Sequence, residues 1–174
     1  ELVAKDDMIK GIWCVPKYSN PTGISYSDET VRRFARLKPA AKDFRIFWDN
    51  AYSIHHLYDD ERVVVLELLN ECIKVGNPDI VLKFISTSKV SFPGSGIAAL
   101  AASRGNLEDA RRYMKFQTIG HDKLNQLRHV RYFKDMLGVY EHMRKHAAIL
   151  RPKFEKVNEV LEKELGGLGI GSWT

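Results

Sequence analysis

The sequence has only two cysteines, Cys14 and Cys72, set far apart in apolar segments with no metal-ligand spacing between them. That scarcity argues against a disulfide framework and predicts buried free thiols in a reducing compartment. The six histidines form no ligand constellation either: His55 and His56 are adjacent, and His142 and His146 lie four apart. No metal site is expected from them. No apolar run approaches the length of a membrane span, and no signal peptide opens the chain, so the expectation is a cytoplasmic protein without a membrane partner. A basic stripe is lacking too. The formal charge is +5, yet Lys and Arg are interspersed with acids. Even the basic tract from Arg104 to Lys156 carries Glu108, Asp109, Asp122, Asp135, Glu141 and Glu155. It reads as solvated helical surface, and no nucleic-acid partner is expected. Internal repeats and low-complexity tracts are missing.

What is present is ordinary for a soluble globular unit: 174 residues, 44% hydrophobic and 28% charged. Gly11 to Pro16 reads as an apolar strand stopped by proline, followed by a loop through Asn20, Pro21 and Gly23. Ser27, Asp28 and Glu29 open a helix that runs toward Pro39. A second strand is expected over Phe44 to Trp48, a helix over Val63 to Val75, a third strand over Ile80 to Ile85 and a fourth over Ile97 to Ala102. Asn106 is the expected cap of a helix to about Phe116, with another over Lys123 to Phe133. A long helical pattern from Asp135 to Leu165 contains Pro152, which should kink or divide it. The Gly-rich exit from Leu165 to Thr174 looks like the approach to a further strand. The fold class implied is α/β: a mostly parallel sheet, buried on both faces by helices and followed by a long helix.

Ligands collect at the carboxyl ends of strands in such sheets. Three polar clusters fall there: Ser19 and Asn20, then Asp49 and Tyr52, then Ser86 to Lys89. A lysine past a buried strand, fenced by hydroxyls, can act as a nucleophilic amine beside an anion pocket. A lysine, an aspartate, an asparagine, a tyrosine and serines at one sheet edge would suit a phosphorylated aldehyde cofactor. The amine would form a Schiff base, the hydroxyls would hold the phosphate, and the carboxylate would pair with a protonated ring nitrogen.

Ser19-Asn20-Pro21-Thr22-Gly23, Asp49-Asn50-Ala51-Tyr52 and Ser86-Thr87-Ser88-Lys89 resemble, in order and spacing, the signatures of fold-type I pyridoxal-phosphate-dependent aminotransferases. The stretch from Val15 through Phe133 is most similar to an aspartate-type or MocR-like branch. The resemblance implies pyridoxal 5′-phosphate as cofactor, with Lys89 as Schiff-base lysine and general acid/base. It implies Asp49 as partner of the pyridinium nitrogen, Asn20 and Tyr52 on the phenolic oxygen, and Ser86 with Ser88 at the phosphate. Asn125 and Arg128 are candidate residues at the edge of the site, within reach of a neighbouring subunit.

By the same resemblance, residues 1–134 form the C-terminal half of the cofactor-binding large domain. Residues 135–174 form a connecting helix and the start of a small domain. The implied chain is a fragment, inactive alone, of an enzyme that moves an amino group between an amino acid, with aspartate favoured, and a 2-oxo acid. The parent would be a homodimer. One departure stands out: where most of the superfamily has a phosphate-gripping arginine, seven or eight positions past the lysine, this sequence has Gly96 and Ile97, so either the Gly94-Ser95-Gly96 backbone supplies N–H groups there or another basic residue does. Other readings stay open on sequence alone: a lyase or decarboxylase on the same core, an aminotransferase-like effector domain of a transcriptional regulator, or a basic binding module.

Overall fold

A computed structural model describes residues 1–171. The described chain forms two compact units, one from Glu1–Ser53 and Val64–Leu127, the other from Ile54–Val63 and residues from Arg128 onward.

The first unit is built on a sheet of β1 (Gly11–Cys14), β2 (Arg45–Asp49), β3 (Val81–Ser86) and β4 (Ala98–Ala102), in that spatial order. β1, β2 and β3 run parallel, with Cys14 opposite Trp48 and Asp49 opposite Phe84. β4 is antiparallel to β3, pairing Ser86 with Ala98. The fold is α/β and its sheet is mostly parallel. Side chains alternate between faces along each strand, and the two faces differ here. Cys14, Ile46, Trp48 and Val81 are buried against α1 (Asp28–Ala35) and α2 (Leu68–Lys74), which contribute Val31, Ala35, Leu68 and Cys72 to the core. Tyr26, Phe34 and Trp48 pack as an aromatic cluster on this side. The other face carries stacked rings of Trp13, Phe47 and Phe84, and Trp13 is 63% exposed. Burial on both faces, expected from the apolar strands, is therefore not met: among the described residues no helix covers Trp13.

Local chemistry explains the helix ends. Ser27 caps α1, its hydroxyl accepting the Thr30 N–H, and acids fill the first turn. α2 is shorter than the apolar pattern from Val63 suggests, because Glu67 is its cap and accepts the Asn70 N–H at 2.7 Å. β-branched Val63, Val64 and Val65 stay outside it. Gly76, at φ +72°, and a 3-10 turn over Pro78–Ile80 lead into β3. α3 (Arg104–Gln117) is capped by Ser103 rather than by Asn106, since Ser103 holds the extended backbone of a cap and its hydroxyl accepts the Asn106 N–H. The Asn106 side chain instead donates to the Asp79 carbonyl and accepts from Arg45.

α4 (Lys123–Phe133) ends in a tight turn with Lys134 at φ +64°, after which Asp135 caps α5 (Met136–Leu165). In the second unit α5 is one helix of 30 residues, undivided at Pro152 although that residue offers no N–H to Ala148. Residues 54–63 are tied to it. Arg151 donates through Nε and Nη2 to the Leu57 carbonyl, its guanidinium lies 4.9 Å from the Tyr58 ring centre, and the Tyr58 hydroxyl meets Glu155. Arg144 and Arg62 both pair with Asp59. α5 runs into a 3-10 turn over Gly166–Leu168. The last residues of the Gly-rich exit, 172–174, lie outside the described ones.

Candidate functional site at the strand ends

Parallel pairing of β1, β2 and β3 brings their carboxyl ends to one edge of the first unit. Asp49 is the last residue of β2 and Ser86 the last of β3. Counting by two from the register, Asp49, Phe84 and Ser86 belong to the same face as Trp13 and Phe47, opposite the side packed by α1 and α2. The Asp49 carboxylate accepts the Ala51 N–H at 3.1 Å, while the Asn50 N–H continues the ladder to the Phe84 carbonyl. Tyr52 lies in the turn that follows.

Beyond β3 the chain turns tightly. The Thr87 carbonyl accepts from the Val90 and Ser91 N–H groups and from the Ser91 hydroxyl. Val90 is buried and anchors the turn, so Lys89 is carried between Ser88 and a core residue. The Ser86 and Ser88 hydroxyls are 2.7 Å apart, and the Ser88 N–H donates to Ser86 Oγ at 3.0 Å. Gly96 comes up against this pair: a Cβ there would sit 2.8 Å from Ser88 Oγ. Thr87 and Ile97 bond reciprocally and fix the return of the chain into β4. Asp49, Ser86, Ser88 and Lys89 are thus grouped by two neighbouring strands.

Asn20 is placed differently. The loop after β1 folds back on itself through Ser19 N–H to Ile24 O and Tyr26 N–H to Pro16 O, leaving Asn20 exposed, with a cis peptide to Pro21. Lys17 is a residue that sequence reading passed over as part of a loop. It is buried, and its ammonium donates to the Ser53 carbonyl at 2.8 Å, tying the β1 loop to the turn after Tyr52. Nothing in the sequence marked it, since an ammonium is normally solvated. Asn125 is also buried, and its amide reaches the carbonyls of Ser95 and Gly96.

The remaining candidate nucleophiles are quiet. Both cysteines are free and buried. Burial pushes the Cys14 thiol up despite a hydrogen bond with Tyr26. Burial, then the charges of Glu67 and Glu71, push Cys72 up to about 12, so neither forms a thiolate near neutral pH. No helix of the described residues is long and apolar enough to cross a membrane.

Comparison with known proteins gives the family. The sequence model of the family described as aspartate amino-transferase matches residues 1–174. A protein of Mycolicibacterium smegmatis, provisionally named an aminotransferase, is 48% identical over the whole chain. An aspartate aminotransferase of Corynebacterium glutamicum is 41% identical over the same residues. The chain spans 40% of the length of each. A crystal structure of an aspartate transaminase from Corynebacterium glutamicum superposes with a TM-score of 0.93 at 41% identity, covering 98% of this chain and 40% of that one. The fold also matches an α-aminoadipate aminotransferase from Thermus thermophilus, complexed with N-(5′-phosphopyridoxyl)-L-leucine, at a TM-score of 0.70 and 21% identity over 88% of this chain and 38% of that one. With a lysine turn, a hydroxyl pair and a carboxylate on adjacent strand ends, and with the family's pattern running through every residue, this chain belongs to the aspartate aminotransferase family.

Proposed function

We propose that the full-length protein is a pyridoxal-phosphate-dependent aminotransferase and that this chain carries half of its cofactor site. The observation that carries the reading is the Lys89 turn, set at the end of β3 beside the Ser86–Ser88 hydroxyl pair, with Asp49 one strand away on the same face. The donor set fits the cofactor: an amine for its aldehyde, hydroxyls for its phosphate and an acid for its basic ring nitrogen. When bound, pyridoxal 5′-phosphate supplies an electron sink for negative charge at the substrate Cα.

The chain's own residues take the other roles. Lys89 Nζ would hold the cofactor's aldehyde and, once the substrate's amino group has displaced it, the freed amine would serve as the general base and acid that moves the substrate's Cα proton. Asp49 keeps a proton on the ring nitrogen, its own orientation fixed by the Ala51 N–H. Tyr52 and Asn20 donate to the phenolic oxygen. Ser86 and Ser88 bind the phosphate, their mutual hydrogen bond leaving each oxygen further capacity to interact. Residues 1–134 act as the C-terminal half of the large domain, and 135–174 as the connecting helix and start of the small one. The parent takes an amino acid, with aspartate favoured by the Corynebacterium relative, and a 2-oxo acid. It is read as a cytoplasmic homodimer.

The test is to incubate the full-length protein with pyridoxal 5′-phosphate, reduce with borohydride and map the modified peptide. A single adduct on Lys89, lost in Lys89→Ala, is expected. An adduct on another lysine, or none, would overturn the assignment.

A further inference from the structure

The superfamily's arginine near position 96 is replaced by a glycine turn, and the structure shows what holds that turn in place. Asn125 Nδ2 donates to the Ser95 carbonyl at 2.7 Å and to the Gly96 carbonyl at 3.2 Å, using both amide hydrogens on consecutive residues. Asn125 is buried and is itself fixed, its backbone N–H donating to Asp122 Oδ1 at 2.9 Å in the first turn of α4. On its other side Gly96 touches Ser88: an added Cβ would lie 2.8 Å from the hydroxyl and 3.0 Å from the backbone nitrogen. Thr87 clamps the next residue, Ile97, by N–H and hydroxyl bonds. The turn is therefore gripped at Ser95, Gly96 and Ile97 in succession.

We infer that Asn125 is a positioning residue for the anion-binding lobe beside Lys89: it seats the Ser95–Gly96 turn against Ser88 in the arrangement that receives a phosphate monoester dianion. This rests on the cofactor reading above. The physical reason lies in the carbonyls. A dianion next to unengaged peptide oxygens is repelled, whereas oxygens engaged by the Asn125 amide have much of that negative charge offset. What the lobe then offers is the Ser86 and Ser88 hydroxyls and small-residue backbone, the composition of an anion nest. Among the described residues, the Gly94 and Gly96 N–H groups donate to no protein acceptor, so both remain available to such a ligand.

The experiment compares full-length wild type with Asn125→Ala and Gly96→Ala, titrating each with pyridoxal 5′-phosphate and with pyridoxal, which lacks the phosphate. Asn125→Ala should weaken the phosphorylated ligand by about tenfold, the scale of one hydrogen bond, while leaving pyridoxal within about twofold. Gly96→Ala, which pushes the turn off Ser88 while keeping the Asn125 side chain itself, should move the same ratio in the same direction. Equal loss for both ligands in both variants would make Asn125 a purely structural residue and overturn the inference, as would no change in either. Failure of the wild type to form the Lys89 adduct is a separate result. It would overturn the cofactor reading itself and this inference with it.

Discussion

Glu67 and Lys83 form an ion pair that ties the head of α2 to β3, and the same carboxylate accepts the Asn70 N–H that begins the helix. Burial alone would raise the Glu67 carboxyl, but the Lys83 hydrogen bond, the Asn70 and Leu69 N–H groups and the Lys83 charge together hold it below its ordinary range. A depressed carboxylate stabilises the fold at pH values above the unfolded pKa, about 4.3 for Glu. That contribution is lost as the pH falls through the lower folded value. Glu67→Ala should cost about 1 kcal/mol at neutral pH, mostly as a lost cap. The gap from wild type should narrow on acidification below about pH 4. Urea unfolding at two pH values measures both, and a gap that widens in acid would contradict the assignment.

Asp49→Asn keeps an oxygen for the Ala51 N–H and removes only the charge. Turnover of the full-length enzyme should fall by about 100-fold or more, the scale of losing a preorganised electrostatic contact. Cofactor absorbance should show the site still filled. Near-normal turnover would exclude Asp49 as the pyridinium partner.

Gly138 sits where α5 turns away from α4, and a Cβ there would come within 1.9 Å of the Phe133 carbonyl oxygen. Backbone cannot yield as a flexible side chain can. Gly138→Ala should destabilise by about 1–3 kcal/mol. The neighbouring exposed change Lys134→Gly should be tolerated or favourable, because Lys134 already adopts φ +64°. Thermal melts of the two variants should therefore shift in opposite directions, or the second not at all.

Arg151 grips the Leu57 carbonyl with two donors and stacks on Tyr58. Lysine keeps the charge but offers neither the fork nor the flat face. Arg151→Lys should speed amide exchange across residues 54–63 and cost about 1 kcal/mol. Unchanged exchange there would show that the segment is held by its other contacts.

Burial, then the charges of His142 and His55, depress the His146 imidazole below its ordinary pKa. The unfolded chain then takes up this proton first. Stability is lost as the pH falls through the unfolded value, about 6.5, and is unaffected by this group well above it. Melting temperatures recorded from about pH 7.5 to 5.5 should decline in wild type and decline less in His146→Gln. Parallel declines would assign the acid sensitivity elsewhere.

Much of this protein can be read directly along the chain. Apolar runs marked β1, β2 and β3, because strands flanked by Gly, Pro and polar turns carry a local signal. Ser27 announced α1 for the same reason: a cap acts within four residues. The lysine, the aspartate and the serines were legible because each stands just after an apolar run, where a strand must end. Other features depended on distant contacts. Only the fold showed that Asn106 bonds Arg45 and Asp79 instead of capping α3, that Lys17 reaches Ser53, and that Pro152 leaves α5 whole. β4 was visible as a strand but not as an antiparallel one, since strand direction depends on which neighbour it pairs with. Short-range periodicity and turn chemistry are enough to mark which residues stand at the strand ends. Folding is what puts Asp49 and Ser86 on one face, closes Gly96 on Ser88 and brings the Asn125 amide to the Gly96 carbonyl. Those relations span from 8 to 37 residues of chain, and only sheet register and packing bring such distant groups together.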